Sequence, residues 1–365
     1  MKRHNRLKKH TLGRAAALLV TAGMSQIALA GDSVYVNTSS LRYRTSAQIK
    51  DNNIAGNLSY GQKLERVGTS GQWTMILLNG KKYYVSSAYV TSKKPASAGA
   101  VQTTSQTAAG AQTSGGTAIA LSSNYKYANY SKINSGTATL YRSTASNKKN
   151  KVVCVNAGHG TNGGGSVKTQ CHPDGTAKVT GGTTGAGATS AVAVSTGMTF
   201  SDGTAESKVT LAMAKVLKTK LLNAGYDVLM IRESDDVQLD NIARTVIANN
   251  NADCHIALHW DSTSSNKGAF FMSVPSNATY RAMEPVASHW KQHNQLGESL
   301  ISGLKSAGVK IYSKGSMEMD LTQTSYSTIP SVDIELGDKA SDHSGATLET
   351  LANGLLTGVN TFFGQ

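Results

Sequence analysis

The chain is short of cysteine, of acidic residues and of long apolar runs, and each shortage excludes something. Its 365 residues hold three cysteines, Cys154, Cys171 and Cys254. An odd number cannot complete an intrachain disulfide framework, and a chain of this size does not need one. If Cys154 and Cys254 sit level on neighbouring strands, a disulfide between them is open. Buried free thiols are the alternative, favoured by the strain of a cross-strand bridge in a parallel sheet. No apolar run reaches the ~20 residues of a spanning helix, which argues against stable membrane insertion. Acids number 22 against 36 Lys and Arg, but the basic residues are dispersed. No basic helix and no basic patch interleaved with aromatics occurs, which argues against a nucleic-acid partner. Dispersed positive charge suits anionic wall polymers or lipid headgroups better.

What is present begins at the N-terminus. "MKRHNRLKKHTLGR" carries six Lys or Arg and no acid, "AAALLVTAGM" is a short apolar run, and "ALA" ends at residue 30. The pattern predicts a signal peptide over 1–30, cut after Ala30, and a secreted protein of the extracellular space or cell wall. The 335 residues that remain carry 30 basic and 22 acidic side chains, a net +8, and suggest about two domains. Residues 93–124 are mostly Ala, Ser, Thr, Gly and Gln, without an aromatic. They cannot bury a core and read as a flexible linker. "YKYANYSKINSGTATLYRS" reads either as a docking strand or as ordered linker. The linker is therefore placed at 93–150, between a small domain at 31–92 and a large one at 151–365.

The small domain has short alternating strands punctuated by "SG" and "NG" hairpin signals, which predict a small all-β barrel. Its "SLRYRTS" and "GQKLERVGTSGQWTMILLNGKKYYVSSAYV" resemble a bacterial SH3-like domain. The resemblance implies binding to wall peptides. Tyr43, Trp73 and Tyr84 either line a groove there or fill the core of a barrel that needs large aromatics.

The large domain alternates strands and helices. "KVVCVNAG", "YDVLMIR", "DCHIALHW", "GAFFMSV", "VKIY" and "PSVDIELG" read as strands. The first helix, near 205–224, presents Val209, Ala212, Met213, Val216 and Leu217 on one face and stops at Gly225. The second has Asp240 as N-cap. The pattern predicts an α/β domain with a mostly parallel sheet and helices on both faces. The site of such a sheet lies at the carboxyl ends of its strands.

There the stretch "VCVNAGHGTNGGG" matters. Gly158, Gly160 and Gly163 match the glycine spacing of a dinucleotide loop. Such a loop opens directly into a helix that holds the pyrophosphate. This one opens into a Gly/Thr-rich run with no helical period, and no acid ends a strand where a ribose contact is needed. His159, between the first two glycines, is the informative residue. Zinc in hydrolytic sites takes three His or carboxylate ligands and keeps one position open. His259 at the end of one strand and Glu206 in the first turn of a helix are the candidate partners. Glu335 is a carboxylate in an apolar strand, where it is costly unless it works or is paired.

"VCVNAGHG", the segment from "AESKVTLAMAKVL" to "CHIALHWDS", and "IPSVDIELG" together resemble the zinc-dependent N-acetylmuramoyl-L-alanine amidases. Arg232, Asp235, Leu239, Arg244, Ala248 and Asn249 match that family's block between the first helix and the second histidine strand. The resemblance covers about 151–365. It implies zinc held by His159, Glu206 and His259, with Glu335 as the catalytic carboxylate that takes a proton from water and returns it to the leaving amine. The substrate implied is peptidoglycan, at the amide between N-acetylmuramic acid and the L-alanine of the stem peptide. Asn156-Ala157 stands where the family usually has Asp-Pro. His159 and Glu206 lie 47 residues apart, so a Gly/Thr-rich insert at about 163–200 must lie over or beside the metal, shaping the cleft or shielding it. Asp261 either orients a ligand or substrate or is a turn residue.

Other pairs fare worse as ligands. His255 and His259 lie ~13 Å apart along a strand. His289 and His293 are four apart on a helix, but Trp290 stands where a zincin needs Glu. Cys171 and His172 read as loop residues. Two alternatives in function remain: a wall-binding protein whose enzyme domain is inactive or held shut by the insert, and a zinc peptidase acting within the stem peptide.

Overall fold

The computed structural model describes residues 32–36, 40–48, 53–59, 61–94 and 115–365. They fall into two compact units. The signal peptide expected at 1–30 and the central part of the expected linker lie outside the described residues.

The first unit is an antiparallel sheet of β1 (Asp32–Val36), β2 (Ser40–Arg44), β3 (Ile54–Ser59), β4 (Lys63–Ser70), β5 (Trp73–Leu78), β6 (Lys81–Ser86) and β7 (Val90–Thr91), ordered β3-β2-β6-β5-β4-β1-β7. Alternation along the strands sends Val34, Val36, Leu64, Ile76 and Val85 into one small core. The β5–β6 turn is the expected "NG" hairpin, with Asn79 and Gly80 both at positive φ (49° and 74°). Tyr43 and Tyr83 pack edge to face at 4.9 Å against this core. Tyr84 neighbours Tyr83 and pairs with Met75, so it falls on the other face, together with Trp73. Tyr43, Trp73 and Tyr84 therefore do not form one groove. A cavity of about 400 Å³ instead has Tyr43, Tyr83, Asn57, Gln62 and Lys81 in its wall.

The second unit contains β8 (Thr117–Ala120), β9 (Thr137–Tyr141), β10 (Val152–Ala157), β11 (Lys168–Gln170), β12 (Ser190–Val192), α1 (Glu206–Asn223), β13 (Asp227–Met230), α2 (Asn241–Asn251), β14 (Cys254–Asp261), β15 (Ala269–Ser273), α3 (Ala278–Ala282), α4 (Val286–Ser306), β16 (Ile311–Glu318), α5 (Thr322–Tyr326), β17 (Ser331–Asp338) and α6 (Gly345–Phe363). Eight of these strands form a sheet ordered β16-β15-β17-β14-β10-β13-β9-β8. β13, β10, β14 and β17 run parallel at its centre. β15 and β9 flank them antiparallel.

Helices cover both faces, as the near-continuous apolar strands require. Val153, Val155 and Ala157 of β10 join the core beneath α1, α4 and α6. Cys154, pointing the other way, packs with Ala243 and Ile247 of α2. Cys254 is level with Val153, not with Cys154, and belongs to the α1 side. The two thiols thus face opposite sides of the sheet, which rules out the bridge. All three cysteines are free and buried.

Two expectations shift. The linker was placed as far as residue 150, but β8 and β9 extend the sheet beyond β13. Ile119, Leu121 and Leu140 cover Leu229 and Ile231, so a segment poor in apolar residues still docks because an edge strand has to bury only one face. On α1, Val209, Met213 and Leu217 are buried as expected, joined by Ala214 and Leu221, whereas Ala212 is exposed. Ala224 caps that helix, and Gly225 follows at φ 99°. Asp240 caps α2, accepting from the Ala243 N–H at 2.8 Å. Among the described residues no helix is long and apolar enough to cross a membrane.

Candidate metal centre

Three side chains converge at the carboxyl edge of the sheet. His159 follows β10, Glu206 opens α1 and His259 lies near the end of β14. His159 Nε2 stands 2.9 Å from Glu206 Oε1. His259 Nδ1 stands 3.0 Å from His159 Nε2 and 3.2 Å from Glu206 Oε1. Tetrahedral zinc, with bonds of about 2.0–2.1 Å to N and O, places its ligand atoms about 3.3 Å apart. The donor set and spacing therefore fit zinc. Among the described residues this is the one cluster of three or more His, Cys, Asp or Glu placed to hold a metal.

Each ligand is held from behind. His159 has φ 63° and Gly160 φ 73°, a left-handed pair that turns the chain sharply after β10. Nδ1 of His159 donates to the Ser195 carbonyl at 2.8 Å, which leaves the Nε2 lone pair for the metal. Glu206 Oε2 accepts from the Met198 N–H at 2.8 Å, and Oε1 accepts from the Trp260 N–H at 3.0 Å. Gly158 lies against the His259 ring, and a Cβ there would come within 2.2 Å of it.

Two buried arginines fix the loop itself. Arg244 donates to the carbonyls of Leu239 (2.9 Å) and His159 (2.7 Å) and to Thr161 Oγ1 (2.8 Å). Arg232 donates to the carbonyls of Ala157 (3.0 Å), Gly158 (2.9 Å) and Ser207 (2.6 Å). Burial pulls the guanidinium of Arg232 down to about 10 and that of Arg244 to about 9. Both stay charged near neutrality and give charge-assisted bonds to the loop.

Glu335 on β17 is the strand partner of His259. Burial, and then the Asp333 carboxylate beside it, push its carboxyl well above the usual carboxylate range. Its Oε2 has no hydrogen-bond partner. Burial alone would lower the His259 imidazole, but Asp333 and Glu206 outweigh it and raise it to about 10. Burial opposes ionisation of Glu206, yet hydrogen bonds with His159 and His259 hold its carboxyl well below the usual range.

The cleft above these groups has a volume of about 500 Å³. One wall is the insert, where Lys178, Thr183 and Ser195 to Met198 line the space. Met272, Met317 and Met319 line another part. The insert is tied down by β11 pairing with β12 and by buried Asp320. That carboxylate accepts from His172 Nε2 (3.1 Å), the Val179 N–H (2.7 Å), the Thr180 N–H (3.0 Å) and Lys178 Nζ (3.0 Å).

Of the other residues singled out, Asp261 borders the cleft, but its carboxylate is engaged by Lys267 Nζ at 2.5 Å and Thr263 Oγ1 at 2.7 Å. His172 is bound to Asp320 and Thr176. His293 is buried, its Nδ1 accepting from the Ser331 N–H at 3.0 Å. Sequence reasoning missed Ser195, Gly197 and Asp333. The signal for Asp333 was in "VDIELG", because residues two apart in a strand share a face.

A parallel sheet with two histidines and two glutamates at its carboxyl edge defines a metal-dependent hydrolase. The family model for N-acetylmuramoyl-L-alanine amidase matches residues 153–355, more than half the chain, and the protein belongs to that family. Residues 153–355 are its zinc amidase domain. Similar solved structures include the N-acetylmuramyl-L-alanine amidase Ami1 from Mycobacterium smegmatis, 17% identical over 60% of this chain and 99% of that one, with TM-score 0.49. The N-acetylmuramoyl-L-alanine amidase from Clostridium difficile 630 is 16% identical over 59% and 97%, with TM-score 0.42. AmiC2 of Nostoc punctiforme is 15% identical over 60% and 99%, with TM-score 0.42. No curated protein sequence matches. The assignment rests on the family model and the site.

Proposed function

We propose that this amidase is exported by its N-terminal segment, is held on peptidoglycan by its seven-stranded region, and uses Glu335 as its proton-transfer group. The placement of Glu335 carries the mechanistic part of this reading. It is level with the ligand His259 on the adjoining strand, and it borders the same cleft. His159, Glu206 and His259 would hold zinc, which when bound lowers the pKa of water toward about 7 and polarises a carbonyl. Glu335 takes the proton of the attacking water on a carboxylate oxygen. It then returns that proton to the amine nitrogen of L-alanine as the lactyl amide breaks.

The seven-stranded region is read as an SH3-like module for wall peptides, supported by its all-β order and by the cavity edged by Tyr43 and Tyr83. Export is supported by the basic, apolar and small-residue pattern of residues 1–30. A net +8 after processing suits anionic wall polymers as a further contact. For Asp261 the ion pair with Lys267 favours a turn role.

Digestion of purified peptidoglycan by the processed chain, with and without a chelator, tests the reading. New N-terminal L-alanine on stem peptides, lost with the chelator, is the expected product. New termini inside the peptide would instead make the enzyme a peptidase. Binding without any product would make it a wall-binding protein.

A further inference from the structure

Asp333 is the second carboxylate of β17 on the face that carries Glu335, two residues before it. It borders the cleft. Its Oδ2 lies 3.6 Å from His259 Nε2. Its Oδ1 is buried without a partner. Its side chain is only 16% exposed, while its neighbours Val332, Ile334 and Leu336 face the core on the opposite side of the strand. A carboxylate is costly in such a place unless a cation or a strong donor faces it. The donor it faces is the ring nitrogen of His259 that points away from His159 and Glu206.

We propose that Asp333 is the positioning residue of His259, and that it fixes which ring nitrogen carries the proton and so sets the affinity of the site for zinc. The inference rests on zinc being held by His159, Glu206 and His259. His159 has the Ser195 carbonyl behind its ring, and Asp333 is the corresponding group behind His259. At 3.6 Å the contact is an ion-pair distance, longer than a hydrogen bond. When Nδ1 gives its lone pair to a cation, Nε2–H becomes a stronger donor and draws the carboxylate in. A carboxylate behind a ligating imidazole also raises the basicity of the ligand, and loss of such a partner typically weakens metal binding about 10–100-fold.

The test compares the full chain with Asp333→Asn and Asp333→Leu. Zinc affinity is measured by competition with a chromophoric chelator, and the visible spectrum is recorded after cobalt substitution. The expected result is zinc binding about 10–100-fold weaker in Asp333→Leu, a smaller loss in Asp333→Asn, a shifted cobalt spectrum, and turnover that returns as free zinc is raised. Unchanged zinc affinity and an unchanged cobalt spectrum in both variants would overturn the proposal. Asp333→Asn keeps the shape of the side chain and reads the same quantities if the leucine variant does not fold. A wild-type chain that binds no zinc would instead overturn the zinc site on which the inference rests.

Discussion

The carbonyl of Ser195 accepts a hydrogen bond from Nδ1 of His159 at 2.8 Å, so the far end of the insert orients the first metal ligand. Gly197, two residues on, sits at φ 80° against the same ligand. A Cβ there would come within 2.7 Å of His159 Cδ2 and 2.8 Å of Glu206 Oε2. The insert thus builds the back of the metal centre as well as a wall of the cleft. Gly197→Ala is expected to lower zinc content and turnover more than tenfold while the chain stays folded. Gly185→Ala, where nothing lies within 4 Å, is the control. Equal zinc content in the two variants would remove the insert from the site.

Removing Arg244 strips the donor from the buried His159 carbonyl and from Asn156 Oδ1, while the Leu239 carbonyl keeps Thr161 Oγ1. Each unsatisfied buried group costs about 1–3 kcal/mol. Arg244→Ala is therefore expected to lose about 2 kcal/mol or more in urea unfolding, and Arg244→Lys to rescue little, because an ammonium cannot span the same fork. Full recovery by lysine would show that charge alone matters.

Asp320 gives the pH dependence. Burial alone would raise its carboxyl, but the hydrogen bonds from His172, Thr180 and Lys178 outweigh it and hold it well below the usual carboxylate range. A depressed carboxyl contributes stability that is full above the unfolded pKa of about 3.9 and fades as pH falls below it. The urea midpoint of the wild type is expected to exceed that of Asp320→Asn at pH 6, with the gap narrowing toward pH 3. A gap that stays constant over that range would count against an ionised Asp320.

Metal removal is expected to leave the fold intact, because His259 Nδ1–H then donates to Glu206 Oε1 and His159 Nε2. Zinc at 100 times its dissociation constant adds about 2.7 kcal/mol to the native state. The midpoint of the amidase domain's thermal transition should fall with a chelator and return on adding zinc, with that transition staying cooperative.

For the mechanism, Glu335→Gln should bind zinc as the wild type does and lose peptidoglycan turnover by about 100-fold or more. Wild-type rates in that variant would remove Glu335 from proton transfer.

The strands β10, β14 and β17, the helices α1 and α2 and the cap Asp240 were legible because apolar period and turn chemistry are local. His159, Glu206 and His259 were legible because each stands near the beginning or end of an apolar strand or helix. β8 and β9 were hidden, since an edge strand needs little apolar pattern of its own. Trp73 and Tyr84 were misplaced beside Tyr43, because the register between strands decides which face a residue takes.

The sequence by itself determined the α/β architecture, the three metal-ligand candidates His159, Glu206 and His259 that the fold brings together, and the insert's existence. Only the tertiary structure decided that Cys154 and Cys254 face apart, that Arg232 and Arg244 grip the loop of His159, that Asp320 pins the insert, and that Ser195 and Asp333 stand behind the two histidines. The physical reason is range. Strand and helix follow from neighbours a few residues away, whereas a carbonyl 36 residues from His159 or a carboxylate on the adjoining strand is brought to a ligand only by the packing of the whole sheet.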